Sequence, residues 1–199
     1  LFMRLYEPTG RKITVDGSDI SHINLRAWRD KIGYVSQDSF LLNDTIAHNI
    51  RFYNEGITES DIEQAAKLAH IYDFVTQRPE GFNTVVGERG VKLSAGQRQR
   101  IVLARVIARK PEILILDEAT SALDNESEAA IQKSLGELRG KVTMLIIAHR
   151  LSTVMNSDML AVIEGGTIIE RGKPEKLLQD TSSRFFSMHH GGVINKNYA

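Results

Sequence analysis

The sequence contains no cysteine among its 199 residues. A chain without cysteine forms no disulfide framework and no thiolate metal site, so both are excluded as sources of stability. This absence fits a reducing compartment without proving one. The start of the chain also lacks a signal-peptide pattern.

The chain also carries no net charge, because 25 Lys and Arg residues balance 25 Asp and Glu residues. Nucleic-acid binders normally carry a basic excess or a basic stripe, so the balance argues against nucleic acid as a partner. Long apolar runs are absent as well. The longest are Ile113–Leu116 and Met144–Ala148, far short of the roughly 20 residues of a membrane-spanning helix. We expect that the chain does not cross a membrane by itself and reaches one only through partners.

These two apolar runs nevertheless predict the fold class. Ile113–Leu116 is apolar on every residue, as expected of a strand covered on both faces, and Met144–Ala148 has the same character. Between them, Asp124 can cap a helix. The buried side of that helix is predicted from the spacing of Ile131, Leu135 and Leu138. A strand, a helix and a second buried strand predict a parallel α/β sheet.

The first part of the chain carries weaker local signals. The apolar run Leu1–Tyr6 breaks at Pro8, which is typical of the end of a helix. Ile13–Val15 is a candidate strand closed by the turn signal Asp16-Gly17. Ile32–Ser36 is a second candidate strand, and Gln37 follows it.

The middle and the end of the chain differ in pattern. From Ser39 to about Arg109 the pattern is helical, with a capping box predicted at Thr58 and Asp61. Leu160–Ile163 and Thr167–Ile169 flank two glycines and predict a hairpin.

Polar residues of catalytic type follow three of the predicted strands: Gln37, the pair Asp117 and Glu118, and His149. In open parallel α/β sheets, ligands bind beyond the carboxyl ends of the strands. The alternative is that every strand must end in some polar residue. This explanation is sufficient for any one of the three strand ends taken alone. All three ends together favour a site at this edge of the sheet.

The stretch ILILDE is the sharpest of these signals, because a buried strand delivers Asp117 to the sheet edge. In P-loop NTPases such an Asp holds Mg²⁺, usually through water, since Mg²⁺ prefers carboxylate and phosphate oxygens. Glu118 next to it would orient or deprotonate an attacking water. Many strands end in an acidic pair, so this pattern does not identify the site by itself.

The stretch LSAGQRQR places the small residues Ser94, Ala95 and Gly96 before a predicted helix. Backbone N–H groups at a helix N-terminus form an anion site, and the serine hydroxyl adds a donor. The alternative is a plain N-cap, which is the commoner use of serine before a helix. Gln97 and the residues up to Arg100 equally fit a solvated face.

Taken in order, these motifs closely resemble the nucleotide-binding domain of ATP-binding cassette (ABC) transporters. LSAGQ corresponds to the family's signature motif, ILILDE to Walker B with its catalytic Glu, and Ser121–Asp124 to the D-loop. Gln37 in YVSQD matches the Q-loop, and His149 matches the switch histidine. The resemblance runs from Leu1 to about Leu178, and the order and spacing of the motifs carry it.

Other stretches narrow the resemblance to exporters. Val86–Gly90 (VGERG) resembles the X-loop, which touches the coupling helices of the transmembrane domains. Phe40–Ile50 and the closing GGTIIERGKPEKLL are also exporter-like, whereas DNA-repair and cohesin-type relatives lack this X-loop. Ala95 departs from the family, which more often has Gly there. We expect its methyl group to be tolerated unless the backbone needs a positive φ.

The resemblance implies an α/β fold: a P-loop NTPase (RecA-like) parallel-sheet core that lacks its first strands and P-loop here, with an inserted α-helical subdomain. It implies one partial ATPase domain over residues 1–185. The parts would be core residues 1–38, the helical subdomain with the signature at residues 39–109, and core residues 110–185. Residues 186–199 are predicted to be a C-terminal tail.

In this family two nucleotide-binding domains sandwich two ATP molecules, each between the P-loop of one subunit and the signature of the other. Ser94 and Gly96 would thus touch the γ-phosphate held by the partner, with Ala95 and Gln97 in the same motif. Asp124 would reach across the dimer interface.

The family also implies roles for the strand-end residues. Asp117 would position Mg²⁺, and Gln37 would be a further ligand or a sensor of the γ-phosphate. Glu118 would act as general base on water, and His149 would stabilise the charge that develops in the transition state.

The cofactors implied are ATP and Mg²⁺. The partners implied are a second nucleotide-binding domain, in a homodimer or heterodimer, and the transmembrane domains of an exporter. Glu88 and Arg89 would help to relay closure to those domains. The implied location is the cytoplasmic face of the cell membrane.

The sequence contains no G-x-x-x-x-G-K-[ST] motif, which is the P-loop itself. In exporters a stretch like Leu1–Gly10 ends the helix that begins at the P-loop, so we expect the chain to start just after that loop. Two hypotheses stay open: a piece of an ATP-hydrolysing exporter, or a non-hydrolysing module that offers its signature to a partner's P-loop. Either way, the isolated chain is predicted to be inactive, and its transported substrate is not readable from the sequence.

Overall fold

The structure is a computed structural model that describes residues 1–38, 40–120, 123–148 and 150–190. It contains two compact units, Leu1–Leu145 and Ile146–Ala199. The predicted subdomain boundaries at residues 38/39 and 109/110 stay predictions.

The first unit begins with small elements that local signals predict well. Strands β1 (Thr14–Val15) and β2 (Ser18–Asp19) pair antiparallel around a turn in which Asp16 and Gly17 both have positive φ. Helix α1 (Leu25–Asp30) follows, and the side chain of Asn24 caps it. The predicted strand and turn are therefore confirmed.

The predicted helix end at residues 1–6 is wrong, because these residues form turns and bends. In place of the backbone N–H groups of a helix, side chains of α1 bind the carbonyl oxygens of this segment. Trp28 Nε1 donates to Phe2 O at 2.7 Å, and Arg29 Nε donates to Met3 O at 3.0 Å.

A three-stranded sheet carries the predicted site edge, in the order β3 (Ile32–Val35), β4 (Ile113–Asp117) and β5 (Thr143–Ile147). Strands β3 and β4 run parallel, with Val35 opposite Leu116. Leu114, Ile115 and Leu116 are buried, which confirms the prediction for β4.

Strand β5 corrects the prediction of a strand covered on both faces. Leu145 and Ile147 are 37% and 47% exposed, and they alternate with half-buried residues. Successive side chains of a strand point to opposite faces, so one face of β5 is exposed and the other is half-buried. Within the described ranges, β5 lies at the end of the sheet order and has β4 as its strand neighbour.

The helical region predicted between residues 39 and 109 is confirmed. It contains α2 (Ile46–Arg51), α3 (Glu59–Leu68), α4 (Tyr72–Thr76) and the long α5 (Ala95–Ala108). The capping box of α3 forms as predicted: Thr58 Oγ1 accepts from Asp61 N at 3.2 Å, and Asp61 Oδ2 accepts from Thr58 N at 3.0 Å. Helix α5 packs on α2, α3 and β3, so the signature stretch sits at the start of the most central helix.

Helix α6 (Asn125–Leu138) follows β4, and its predicted apolar face is buried, with Ile131 1% exposed. The second unit contains α7 (Leu151–Val154), the hairpin of β6 (Leu160–Glu164) and β7 (Thr167–Gly172), α8 (Pro174–Gln179) and α9 (Arg184–His190). The hairpin is confirmed. Residue 186 lies within α9, where Phe185 is buried, and the tail predicted over residues 186–199 stays a prediction.

Candidate functional site

Two of the three predicted strand ends meet at one edge of the sheet. Because β3 and β4 are parallel and Val35 lies opposite Leu116, the residues that follow them leave the sheet side by side. Gln37 is exposed two residues beyond β3, whereas Asp117 and Glu118 are half-buried at the end of β4. The third strand end, His149, lies outside the described residues.

Tyr34 adds a contact that the sequence analysis missed. Its hydroxyl donates to Asp117 Oδ2 at 2.9 Å. Burial raises the pKa of Tyr34, and the hydrogen bond and the charge of Asp117 raise it further. The strand register explains this contact: Tyr34 lies opposite Ile115, and Asp117 is the next residue of β4 on the same face, a pairing that the sequence alone does not provide.

Glu118 has φ of +50°, in the left-handed region. A residue other than glycine in this region is strained by about 1–3 kcal/mol, and such residues cluster at functional sites. The backbone thus leaves the extended strand conformation at Glu118, directly after Asp117. The structure holds the two adjacent carboxyl groups in different backbone environments.

The signature stretch forms a closed N-cap. Ser94 Oγ accepts from Gln97 N at 3.2 Å, and Gln97 Oε1 accepts from Ser94 N at 2.9 Å. The structure thus contains the plain N-cap that was the alternative, and Ser94 and Ala95 are exposed to solvent. Ala95 is the first residue of α5 and has no positive φ, so its methyl group is accommodated.

Gly96 is buried where α5 crosses the start of α6. A Cβ atom at Gly96 would lie 1.9 Å from Ser127 Oγ and 2.4 Å from Ser127 Cβ. Only glycine permits this approach. The contact brings the signature stretch next to the helix that follows the D-loop stretch, a proximity that the sequence analysis did not predict.

Asp124 caps α6 as predicted. Its Oδ1 accepts from Ser127 N at 2.9 Å, and its Oδ2 accepts from Ser127 Oγ at 3.1 Å. These bonds, the backbone one first, lower the pKa of Asp124. Leu123 beside it is buried, while Ser121 and Ala122 of the same motif lie outside the described residues.

Glu88 and Arg89 are exposed on a tight turn, as a contact role requires. The turn contains three residues of positive φ, namely Gly87, Arg89 and Gly90. Val86 N donates to Asp44 O at 3.1 Å, which ties this turn to the segment that follows Gln37. The X-loop stretch and the Phe40–Ile50 stretch are therefore neighbours in space.

Arg105 and Asn49 organise that segment, and the sequence analysis missed both. Arg105 donates to Asn49 O at 2.7 Å, to Asn49 Oδ1 at 3.1 Å and to Phe40 O at 3.0 Å. Its guanidinium also lies 4.2 Å from the ring centroid of Phe52. Burial lowers the pKa of Arg105 to about 10, so the side chain stays charged at neutral pH.

The donors at the sheet edge fit a magnesium nucleotide. Mg²⁺ typically takes one or two carboxylates and completes its shell with substrate phosphate oxygens and water. Asp117 provides such a carboxylate, and the Gln37 amide follows the neighbouring strand. The described ranges contain no group of three or more acidic or histidine side chains that would form an all-protein metal cage. No helix in those ranges is both long enough and apolar enough to cross a bilayer.

Comparison with known proteins adds sequence and structural relatives. A family model for "ABC transporter" matches residues 1–121. The chain is 50% identical over 178 residues to an "Uncharacterized ABC transporter ATP-binding protein" of Sinorhizobium fredii, covering 89% of this chain and 30% of that protein. It is 49% identical to "ATP-binding cassette sub-family B member 6" of Mus musculus, covering 89% of this chain and 21% of that protein.

A solved structure agrees with these relatives. The chain matches the structure of a bacterial Atm1-family ABC exporter with ATP bound, with a TM-score of 0.88 and 39% identity. The match covers 96% of this chain and 34% of the exporter chain, so this chain spans about a third of its length. The parallel sheet, the capped signature helix and these matches agree: the chain belongs to the ABC transporter family, as an ATP-binding domain of the exporter type with the P-loop NTPase fold.

Proposed function

We propose that the protein couples ATP binding and hydrolysis to export of a substrate across a membrane, with this chain as the part that senses and drives hydrolysis. The observation that carries the proposal is the sheet edge at which Gln37, Asp117 and Glu118 emerge together. The relatives are several times longer than this chain, and it is in such a longer protein that export would take place.

The sheet-edge residues have distinct tasks in this proposal. Asp117 would hold Mg²⁺ with Gln37 as a further oxygen donor, and the ion would neutralise charge on the phosphate oxygens. Glu118 accepts a proton from the attacking water, and its separate backbone conformation supports a task different from that of Asp117. His149 stabilises the charge that develops on the γ-phosphate.

The signature residues serve a second ATP-binding domain. Ser94, Ala95 and Gly96 lie at the start of α5, where Ser94 and Ala95 are exposed, and Gln97 completes the cap that fixes their backbone. In a dimer this motif contacts the γ-phosphate held by the partner domain, and Asp124 reaches across the same interface. Each ATP site is then formed by two ATP-binding domains, which are either identical or different.

The exposed turn with Glu88 and Arg89 would contact the transmembrane domains. Its hydrogen bonds to the segment after Gln37 support this assignment, because a shift at the nucleotide edge would reach the turn through neighbouring backbone. The chain would thereby be held at the cytoplasmic face of the membrane.

The catalytic assignment is tested by Glu118→Gln in the longer protein that carries this chain. We expect ATP hydrolysis to fall by about 100-fold or more, since general-base catalysis contributes that much, while ATP-driven dimerisation is kept. Glu63→Gln, an exposed change on α3, is the matched control and should hydrolyse ATP normally. Unchanged hydrolysis in Glu118→Gln would refute the assigned role.

The 199-residue chain alone should show no hydrolysis in the same assay. It has no P-loop lysine and no phosphate-binding backbone loop of the G-x-x-x-x-G-K-[ST] type. Hydrolysis by the isolated chain would overturn this part of the proposal. The alternative, a non-hydrolysing module that lends its signature to a partner ATPase, predicts that Glu118→Gln in the longer protein has no effect.

A further inference from the structure

We propose that Ser127 is a positioning residue that couples the signature turn, residues Ser94–Gly96, to Asp124. The inference rests on the proposed function in one respect, namely that both elements face a partner domain. The coupling itself is a property of contacts within this chain.

The first contact is with Asp124. Ser127 is 6% exposed as a residue, and its hydroxyl donates to Asp124 Oδ2 at 3.1 Å while its backbone N–H donates to Oδ1 at 2.9 Å. Both carboxylate oxygens are therefore held by one residue. Ser127 makes the strongest contacts of this carboxylate, and the backbone N–H groups of Asp124 and Glu126 add weaker ones.

The second contact is with Gly96. The Ser127 side chain occupies the space that a Cβ atom of Gly96 would need, at 1.9 Å from the hydroxyl oxygen. Interiors this closely packed transmit displacement, because a small shift meets steep repulsion. A movement of the signature turn therefore displaces Ser127.

Arg100 strengthens the junction from the side of α5. Its Nε donates to Gly96 O at 3.3 Å, and its Nη1 donates to His70 O at 2.8 Å. Burial lowers the pKa of Arg100, and the charges of Glu126 and Asp124 offset part of this effect. These two bonds fix the start of α5, while packing against Gly96 joins it to α6, and the Ser127 hydroxyl is the group that touches both Gly96 and Asp124.

This geometry suggests why a serine serves at this place. A residue that only capped α6 could use its backbone N–H alone, and a residue that only packed on Gly96 could be alanine. The hydroxyl adds a directional bond, so that displacement at the signature turn changes the carboxylate of Asp124. Two partner-facing elements would then move together.

The test is a spectroscopic double-mutant cycle on the full 199-residue chain at neutral pH, without nucleotide. Asp124→Asn removes the charge but keeps a good N-cap. We expect this change to shift the Ser94 and Gly96 amide signals in ¹H–¹⁵N spectra. In a Ser127→Ala background most of that shift should be lost, because the linking hydroxyl is gone.

Ser134→Ala is the matched control, because Ser134 is a buried serine of the same helix whose hydroxyl donates to Ala130 O at 3.0 Å. In that background the Asp124→Asn shift at Gly96 should be retained in full. The proposal is overturned when Asp124→Asn shifts the Gly96 amide signal by the same amount in the wild-type background and in the Ser127→Ala background. It is also overturned when the Asp124→Asn shift is lost as completely in the Ser134→Ala background as in the Ser127→Ala background, since general loosening of α6 would then explain the loss.

The spectra contain no nucleotide and no partner, so their outcome is independent of the ATPase assay. In the longer protein, Ser127→Ala should weaken ATP-driven dimerisation while Ser134→Ala leaves it unchanged. Absence of dimerisation in the wild type would count against the proposed function, whereas wild-type dimerisation in Ser127→Ala would count against the coupling.

Discussion

Gly96 combines a predicted ligand role with a packing requirement. The resemblance implies that its backbone touches a phosphate, and the structure places its missing side chain against Ser127. Either the phosphate contact or the packing against Ser127 would by itself explain a small residue at this position. A substitution at Gly96 therefore needs a stability measurement before any loss of activity is assigned to phosphate binding.

We predict that Gly96→Ala destabilises the chain by about 1–3 kcal/mol, because the added methyl group overpacks the junction between α5 and α6. Gly136→Ala is the matched control, since Gly136 lies in α6 with open space around its Cβ direction. The control should be neutral or stabilising by up to about 1 kcal/mol. Urea unfolding followed by the fluorescence of the single, buried Trp28 gives both values. Equal stability of wild type and Gly96→Ala would contradict the packing argument.

At the scale of elements, Arg105 and Asn49 join the far end of the signature helix to the segment that follows Gln37. Asn49 is fully buried, and its amide bonds Leu42 N at 2.8 Å, Leu42 O at 3.1 Å and Thr45 O at 3.0 Å. Loops leave backbone groups unpaired unless a side chain or water satisfies them. Asn49 performs this task, and Arg105 holds Asn49.

We predict that Asn49→Ala destabilises the chain by about 3 kcal/mol, because buried backbone groups of the segment lose their partners. Asn83→Ala, an exposed change in a short helical turn, should stay within about 0.5 kcal/mol of the wild type. Amide hydrogen exchange should locate the loosening of Asn49→Ala in residues 40–45 first. Uniform acceleration across α5 and the sheet would show instead that Asn49 supports the whole unit.

At the scale of the whole molecule, acidic residues distributed along the chain make stability depend on pH. Asp19, Asp44, Asp61, Asp124 and Asp180 all have pKa values below the ordinary 3.8, because hydrogen bonds favour their charged forms. The unfolded chain then takes up protons at a higher pH than the folded chain. The stabilisation is complete above about pH 4 and is lost as the pH falls through the folded values.

Asp61 should contribute most to this acid sensitivity, since Lys110 and Thr58 both bond its carboxylate and lower its pKa strongly. We predict that Asp61→Asn flattens the decline in unfolding free energy between pH 4 and lower pH, and is less stable than wild type at pH 7. Asp30→Asn, whose exposed carboxylate lies 3.8 Å from Arg109, should retain the wild-type decline. Urea midpoints at several pH values measure both, and parallel curves for Asp61→Asn and wild type would contradict the prediction.

Much of the fold was predictable because its signals are local. The caps at Thr58, Ser94 and Asp124 form within three residues of each cap, so the pattern contains both partners. The buried strand β4 was predictable from its unbroken apolar run. The helix predicted at residues 1–6 failed for the converse reason: a few apolar residues give no helix when side chains of α1 bind their carbonyl groups.

The features of the candidate site are likewise of two kinds, those that local sequence signals predict and those that depend on packing between elements. The sequence by itself determined which residues end the strands, which serine caps α5, and the order of motifs that identifies the family. Only the tertiary structure decided that Tyr34 bonds Asp117, that Gly96 rests on Ser127 and that Arg105 holds Asn49. These partners are 83, 31 and 56 residues apart. Packing between elements brings them together, and no periodicity along the chain encodes a contact between side chains on different elements.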